Sequence, residues 1–128
     1  MVHLDTSVLV DALTGARRSA PDLRRFIERG ERIQVSAVVL YEWLRGPRQP
    51  EELAAQEALF PRESAVPFAA AEAALAAGLY ARLRKARGRE IDLAIAACAL
   101  VRNAKLWTLN TEDFDDIPDL HVSAPDAT

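Results

Sequence analysis

A parallel α/β sheet with helices on both faces is the fold class this sequence predicts, on three observations. Short apolar runs alternate with longer helix-like runs along the whole chain. Gly and Pro fall at the junctions between runs. No internal repeat, low-complexity linker or change of composition divides the 128 residues, which are expected to form one domain spanning 1–128. The expected architecture is a three-layer α/β/α sandwich whose mainly parallel sheet has about four to five strands.

In order, residues 2–5 read as a strand and 6–13 as a helix closed near Gly15. A second helix is expected at 21–29, with Pro21 in its first turn and Gly30 past its end. "RIQVS" (32–36) reads as the second strand. Ser36 is then the N-cap of the helix "AVVLYEWLRG", which Gly46 closes and Pro47 stops. A helix at 51–59, a short strand near "ESAVPF" (63–68) and an alanine-rich helix at 70–86 follow. "EIDLAIAACALVRNA" (90–104) reads as a helix and "LWTL" (106–109) as a buried strand. "TEDFDDI" (111–117) reads as a turn or short helix, and "HVSA" (121–124) as an edge strand.

Composition narrows the function classes. Half of the residues are hydrophobic, 27% are charged and the formal net charge is −3, so the chain as a whole offers nucleic acid no bulk electrostatic attraction. No basic leader precedes an apolar segment, and the longest apolar-looking stretch, "FAAAEAALAAGLYARL", is interrupted by Glu72 and Gly78. With one cysteine, Cys98, which cannot form an internal disulfide, a cytoplasmic protein away from membranes is expected. Cys98, in "AIAACAL", reads as core, and His3 and His121 as strand residues. "CxxC", "HxxxH", "GxxxxGK[ST]", "GxGxxG" and "GxSxG" are all missing, which argues against zinc, nucleotide and serine-hydrolase chemistry.

What does stand out is acid in apolar company. Asp5 sits between "VHL" and "TSVLV", and Glu42 between "VVLY" and "WL"; Asp92 follows Ile91, and Asp113 follows "LWTLNTE". Buried carboxylates are costly without donors, cations or a metal. In open parallel sheets ligands bind outside the carboxyl ends of the strands, where Asp5 is expected to sit. Several carboxylates on one rim repel unless protons or cations intervene, and oxygen-only donors favour magnesium or manganese. Most of the remaining acids, Glu28, Glu51, Glu52 and Glu57 among them, read as solvated surface or helix-start charge. For Asp92 taken alone, an acid stabilising its helix start is an equally good reading. The 16 basic residues are nearly all arginine, five of them in "RLRKARGR" (82–89). This run and "ARRSAPDLRR" (16–25) are candidate phosphate tracks, with a solvated helix end as the plainer reading of the first.

"LDTSVLVDAL", "VSAVVLYEWLRG", "EIDLAIAACAL" and "LWTLNTEDF", in this order, resemble the successive motifs of the PIN-domain ribonucleases, and most of all the VapC toxins of toxin–antitoxin pairs. The likeness runs from residue 2 to about residue 122. It implies an Mg²⁺- or Mn²⁺-dependent endoribonuclease on a compact α/β/α fold, with RNA as substrate, a VapB-like antitoxin as partner and a homodimer as the assembly. Carried over by position, the family's four acids fall on Asp5, Glu42, Asp92 and Asp113. Glu112, Asp115 and Asp116 compete for the fourth place, and Glu90 is a possible extra acid or a surface partner of Arg87 and Arg89. Asp5 and Asp92 are the implied metal ligands, with Glu42 acting through water or on the nucleophile. Thr6, Ser7 and Asn110 are expected around them on carboxylate or phosphate, and Arg84, Arg87 and Arg89 on the RNA backbone.

Trp43, Leu44, Leu59 and Phe60 are expected to form an apolar groove for an antitoxin helix, unless they complete the core; a basic antitoxin residue would compete there with the metal. Two other classes fit less well. A receiver-like signalling domain needs an acid pair after strand one, and Asp5 is unpaired; a non-catalytic interaction module on the same fold sits poorly with four matching acids.

Overall fold

The computed structural model describes residues 1–125. Strands β1 (Val2–Leu4), β2 (Ile33–Gln34), β3 (Lys105–Trp107) and β4 (Val122–Ser123) form one sheet in the order β2-β1-β3-β4. Every pairing is parallel: Val2 lies opposite Ile33 and Lys105, Leu4 opposite Trp107, and Leu106 opposite Val122. All three residues of β1 are buried, as a central strand covered on both faces requires.

Between β1 and β2 lie α1 (Thr6–Leu13) and α2 (Ala20–Glu28); between β2 and β3 lie α3 (Ala37–Arg45), α4 (Pro50–Leu59), α5 (Ala70–Arg82) and α6 (Glu90–Val101). Helix α1 packs on α2, α3 and α4, whereas α5 packs on α6 and α6 on β3, so the sheet is flanked on both sides. The core runs from Leu4, Val8 and Leu9 through Val39 and Trp43 to Leu93, Ile95, Leu106, Trp107 and Phe114.

The expected four-to-five-stranded α/β/α arrangement is present, with differences at the element ends. Helix α5 stops at Arg82 instead of 86, because the chain turns extended at Leu83, which lets Leu83 and Ala86 reach the core. Helix α6 stops at Val101 instead of 104: Asn103 adopts the left-handed conformation, φ 54°, and the Ala104 amide bonds back to the Ala99 carbonyl at 2.9 Å. The expected strand near "ESAVPF" is a single bridge, Val66 beside Ser36, because Pro67 has no amide to continue the ladder. The apolar groove expected from Trp43, Leu44, Leu59 and Phe60 is not built from those four. Trp43 (0% exposed) and Phe60 (5%) complete the core, leaving Leu44 and Leu59 at the surface. Among the described residues no helix is long and apolar enough to cross a membrane.

Candidate active site

Chain order reverses around β1: the first crossover leads to β2 on one side, and the later one passes to β3 on the other. That switch point falls at the carboxyl ends of β1 and β3, the crevice where open α/β sheets take ligands. Asp5 follows β1 directly, with its amide on the Trp107 carbonyl at 2.9 Å, and is buried. Two hydroxyls, Ser7 Oγ at 2.9 Å and Thr108 Oγ1 at 2.7 Å, donate to its Oδ2. Oδ1 accepts no hydrogen bond among the described residues, so the carboxylate is anchored through one oxygen and offers the other. Thr108, wholly buried, accepts the Asn110 amide at 3.0 Å, and Ser7 Oγ accepts the Leu109 amide at 3.1 Å, which ties the turn after β3 to the start of α1.

Glu42, half-buried on α3, accepts the Thr6 hydroxyl at 2.6 Å and faces Arg45 at 3.3 Å. Asp92 stands in the first turn of α6. Burial pushes its carboxyl from 3.8 up to about 6, and the nearby negative charges of Asp5, Asp113 and Glu42 add to the rise while Arg89 opposes it. The structure thus brings Asp5, Glu42, Asp92 and Asp113 onto one rim.

Within the crowded segment 111–117 the charge of Asp113 adds to the rise at Asp92, whereas Asp116 is bound by the Arg89 guanidinium through both oxygens, at 2.7 and 2.9 Å. Glu90 turns back to accept the Gly88 amide at 3.3 Å instead of joining the acids. Asn110 is exposed at the turn into the short helix Thr111–Asp113. A cleft of about 510 Å³ is lined by Arg84, Lys85, Arg89, Glu112, Asp115 and Asp116 together with Asp113, the member of the four candidate acids that it takes in. Arg87 is exposed on the same loop but does not line this cleft. In the other arginine run, Arg17 and Arg24 border a separate apolar groove between α1, α2 and α4, and Arg25 pairs with Asp22.

The donor set fits a hard divalent cation: every candidate ligand is a carboxylate oxygen, and Asp5 keeps one oxygen free of protein donors. No group of three His, Cys, Asp or Glu side chains among the described residues forms a ready-made cage. Magnesium asks for less, since one or two carboxylates suffice with water completing the shell. Thr108 is the residue that sequence reading missed; its only signal was a hydroxyl inside the otherwise apolar "LWTL".

A parallel sheet with a switch-point crevice ringed by acids defines the class, and comparison agrees: the chain belongs to the PIN domain family, which matches residues 2–120. Within it the likeness is to the VapC ribonucleases. The chain is 38% identical over 125 residues to "Ribonuclease VapC19" of Mycobacterium tuberculosis, covering 94% of this chain and 97% of that protein. Two solved structures share the fold. DNA-bound VapBC from Salmonella typhimurium has a TM-score of 0.79 at 21% identity, with 96% of each chain covered. VapBC2 from Rickettsia felis bound to a promoter DNA fragment has a TM-score of 0.75 at 23% identity, covering 98% of this chain and 100% of that one.

Proposed function

We propose that the chain is the toxin of a toxin–antitoxin pair, an endoribonuclease that hydrolyses RNA phosphodiester bonds with Mg²⁺ or Mn²⁺ held by Asp5 and Asp92. The observation that carries this reading is the convergence of Asp5, Glu42 and Asp113 on Asp92 at the crevice, in a chain 38% identical to a VapC ribonuclease. When bound, the cation supplies an acidified water and a counter-charge for the developing phosphorane.

The protein side chains do the rest. Ser7 and Thr108 hold Asp5 in one orientation, and Thr6 holds Glu42 where it can accept a proton from an attacking water. Arg84 and Lys85, exposed and lining the same cleft as Asp113, attract the RNA backbone to the rim, with Arg87 beside them on the same loop. For the partner, the best-fitting surface is the groove of about 370 Å³ between α1, α2 and α4. It is lined by Leu13, Leu23, Ile27 and Leu59 and rimmed by Arg17, Arg24 and Glu28, a shape and polarity suited to an amphipathic antitoxin helix.

The test is cleavage of total RNA by the purified, antitoxin-free chain, with magnesium and with EDTA. Asp5→Asn and Asp92→Asn are expected to remain folded and lose metal-dependent cleavage by at least about a hundredfold. Undiminished cleavage by both variants would overturn the assignment. Replacing Arg84 and Arg87 together should weaken RNA binding and flatten its salt dependence, by about 0.7 in log–log slope for each phosphate no longer neutralised.

A further inference from the structure

The arginine-rich run suggests a phosphate grip for Arg89, but its guanidinium is already committed. One terminal nitrogen donates to Asp116 Oδ2 at 2.9 Å and to the Lys85 carbonyl at 3.2 Å. The other donates to Asp116 Oδ1 at 2.7 Å and to the Asp113 carbonyl at 2.7 Å. A guanidinium so engaged can reach a phosphate only by giving up these bonds. Its backbone is equally fixed, because Arg89 is the N-cap residue of α6 and its carbonyl receives the Leu93 amide at 2.9 Å. Its side chain therefore joins two pieces of chain that nothing in sequence connects: the helix start that carries Asp92, and the segment 111–117 that carries Asp113. Phe114 and Ile117 anchor that segment in the core, and Arg89 adds a tie on its exposed side. The segment's own backbone bonds are short-range, Asp113 to Asn110, Phe114 to Thr111 and Ile117 to Phe114, and Asp113 itself is exposed.

Resting on the ribonuclease reading above, we infer that Arg89 is a positioning residue: its two-pronged bond to Asp116 and its bond to the Asp113 carbonyl latch segment 111–117 onto α6, which holds the Asp113 carboxylate on the rim with Asp92. Arg84 and Lys85 on the same cleft are left to meet RNA, so one arginine-rich run performs two tasks. Asp116 belongs to the latch and not to the acid set. Bidentate arginine–carboxylate geometry is the case in which a partly exposed ion pair has a measurable effect, and displacing a reacting group by about an ångström from its productive place costs up to about a hundredfold in rate.

The experiment compares Arg89→Gln, Arg89→Lys, Asp116→Asn and the reversed pair Arg89→Asp with Asp116→Arg. Amide hydrogen exchange is followed over 111–117 without metal, and steady-state cleavage of a random-sequence single-stranded RNA pool with it. The latch predicts faster exchange at Asp113, Phe114 and Ile117 in all three single variants. It also predicts about a tenfold fall in kcat for Arg89→Gln and Asp116→Asn with KM within twofold, and an unchanged salt slope of RNA binding. Arg89→Lys keeps the charge but loses the fork, so it should resemble Arg89→Gln. The reversed pair should recover exchange protection and part of kcat. Overturning results are unchanged exchange in Arg89→Gln, or a raised KM with a salt slope shallower by about 0.7 while Asp116→Asn cleaves normally. A wild-type chain that cleaves no RNA would refute the ribonuclease reading alone, since the exchange data decide the latch without it.

Discussion

Single side chains set the character of the crevice. Thr108 has neither charge nor motif, yet it supplies the shorter of the two hydroxyl bonds to Asp5. Thr108→Val keeps the shape and removes the donor. Its expected cost is about 1–2 kcal/mol in chemical denaturation, together with roughly a tenfold loss of RNA cleavage as Asp5 loses its anchor. Two titrating groups, Asp92 half-buried and His3 buried, give the metal-free protein opposing acid responses. Asp92, raised to about 6, lends stability in its protonated form, present in full below about pH 4 and lost as pH rises through 6. His3, buried in β1 with neither ring nitrogen partnered among the described residues, is lowered from 6.5 to about 4, first by burial and then by Arg102 and the terminal amine. Its neutral form lends stability above pH 6.5 that is lost as pH falls through 4. Thermal melts in EDTA should therefore separate the two. Asp92→Asn is expected to be more stable than wild type at pH 7 and to lose stability steadily from pH 6.5 to 4; His3→Leu should gain stability over the same descent. Parallel profiles for wild type and both variants would contradict these assignments.

At the scale of elements, helix starts do most of the placing. Asp5 is the N-cap of α1, Ser36 that of α3 and Arg89 that of α6, so each acid-bearing element begins at or beside the crevice. Ser36 was legible as a cap from its place before "AVVLYEWL", and its Oγ accepts the Val39 amide at 3.2 Å while the residue is buried. Ser36→Ala should cost about 1 kcal/mol of stability, read from urea unfolding, and move Glu42 with α3. The element ends were less legible. Leu83 leaves its helix to reach the core, and Asn103 turns left-handed to bring the chain into β3; both serve contacts far away in sequence.

Across the whole molecule, the strand order makes the site, because acids 87 residues apart, at 5 and 92, meet only where the crossovers diverge. Divalent cation should bind this assembled rim and raise the melting temperature of the wild type, but not that of Asp5→Asn or Asp92→Asn, a calorimetric readout independent of cleavage. We further propose self-association. Tyr41, Leu44, Tyr80 and Ile91 are large, exposed apolar side chains on α3, α5 and α6, and a two-fold dimer would cover such a surface. Sedimentation should report about twice the 14.1 kDa chain mass, and Tyr80→Glu with Leu44→Glu should return it to a monomer.

By itself the sequence determined the alternation of strands and helices and the caps at Ser36 and past Glu28, and it set Asp5, Glu42 and Asp92 apart from the surface charge by their apolar neighbours, leaving the fourth acid open among Glu112, Asp113, Asp115 and Asp116. Those features are local: a cap, a period or a charge inside an apolar run is decided by residues within a turn of one another. Only the tertiary structure decided the rest. It bound Asp116 to Arg89 through both carboxylate oxygens, brought Thr108 to Asp5, and placed Trp43 and Phe60 in the core while a groove formed instead between α1, α2 and α4. Each of those outcomes depends on which atoms meet across tens of residues, and such meetings follow from strand order and packing, which no local window of sequence contains.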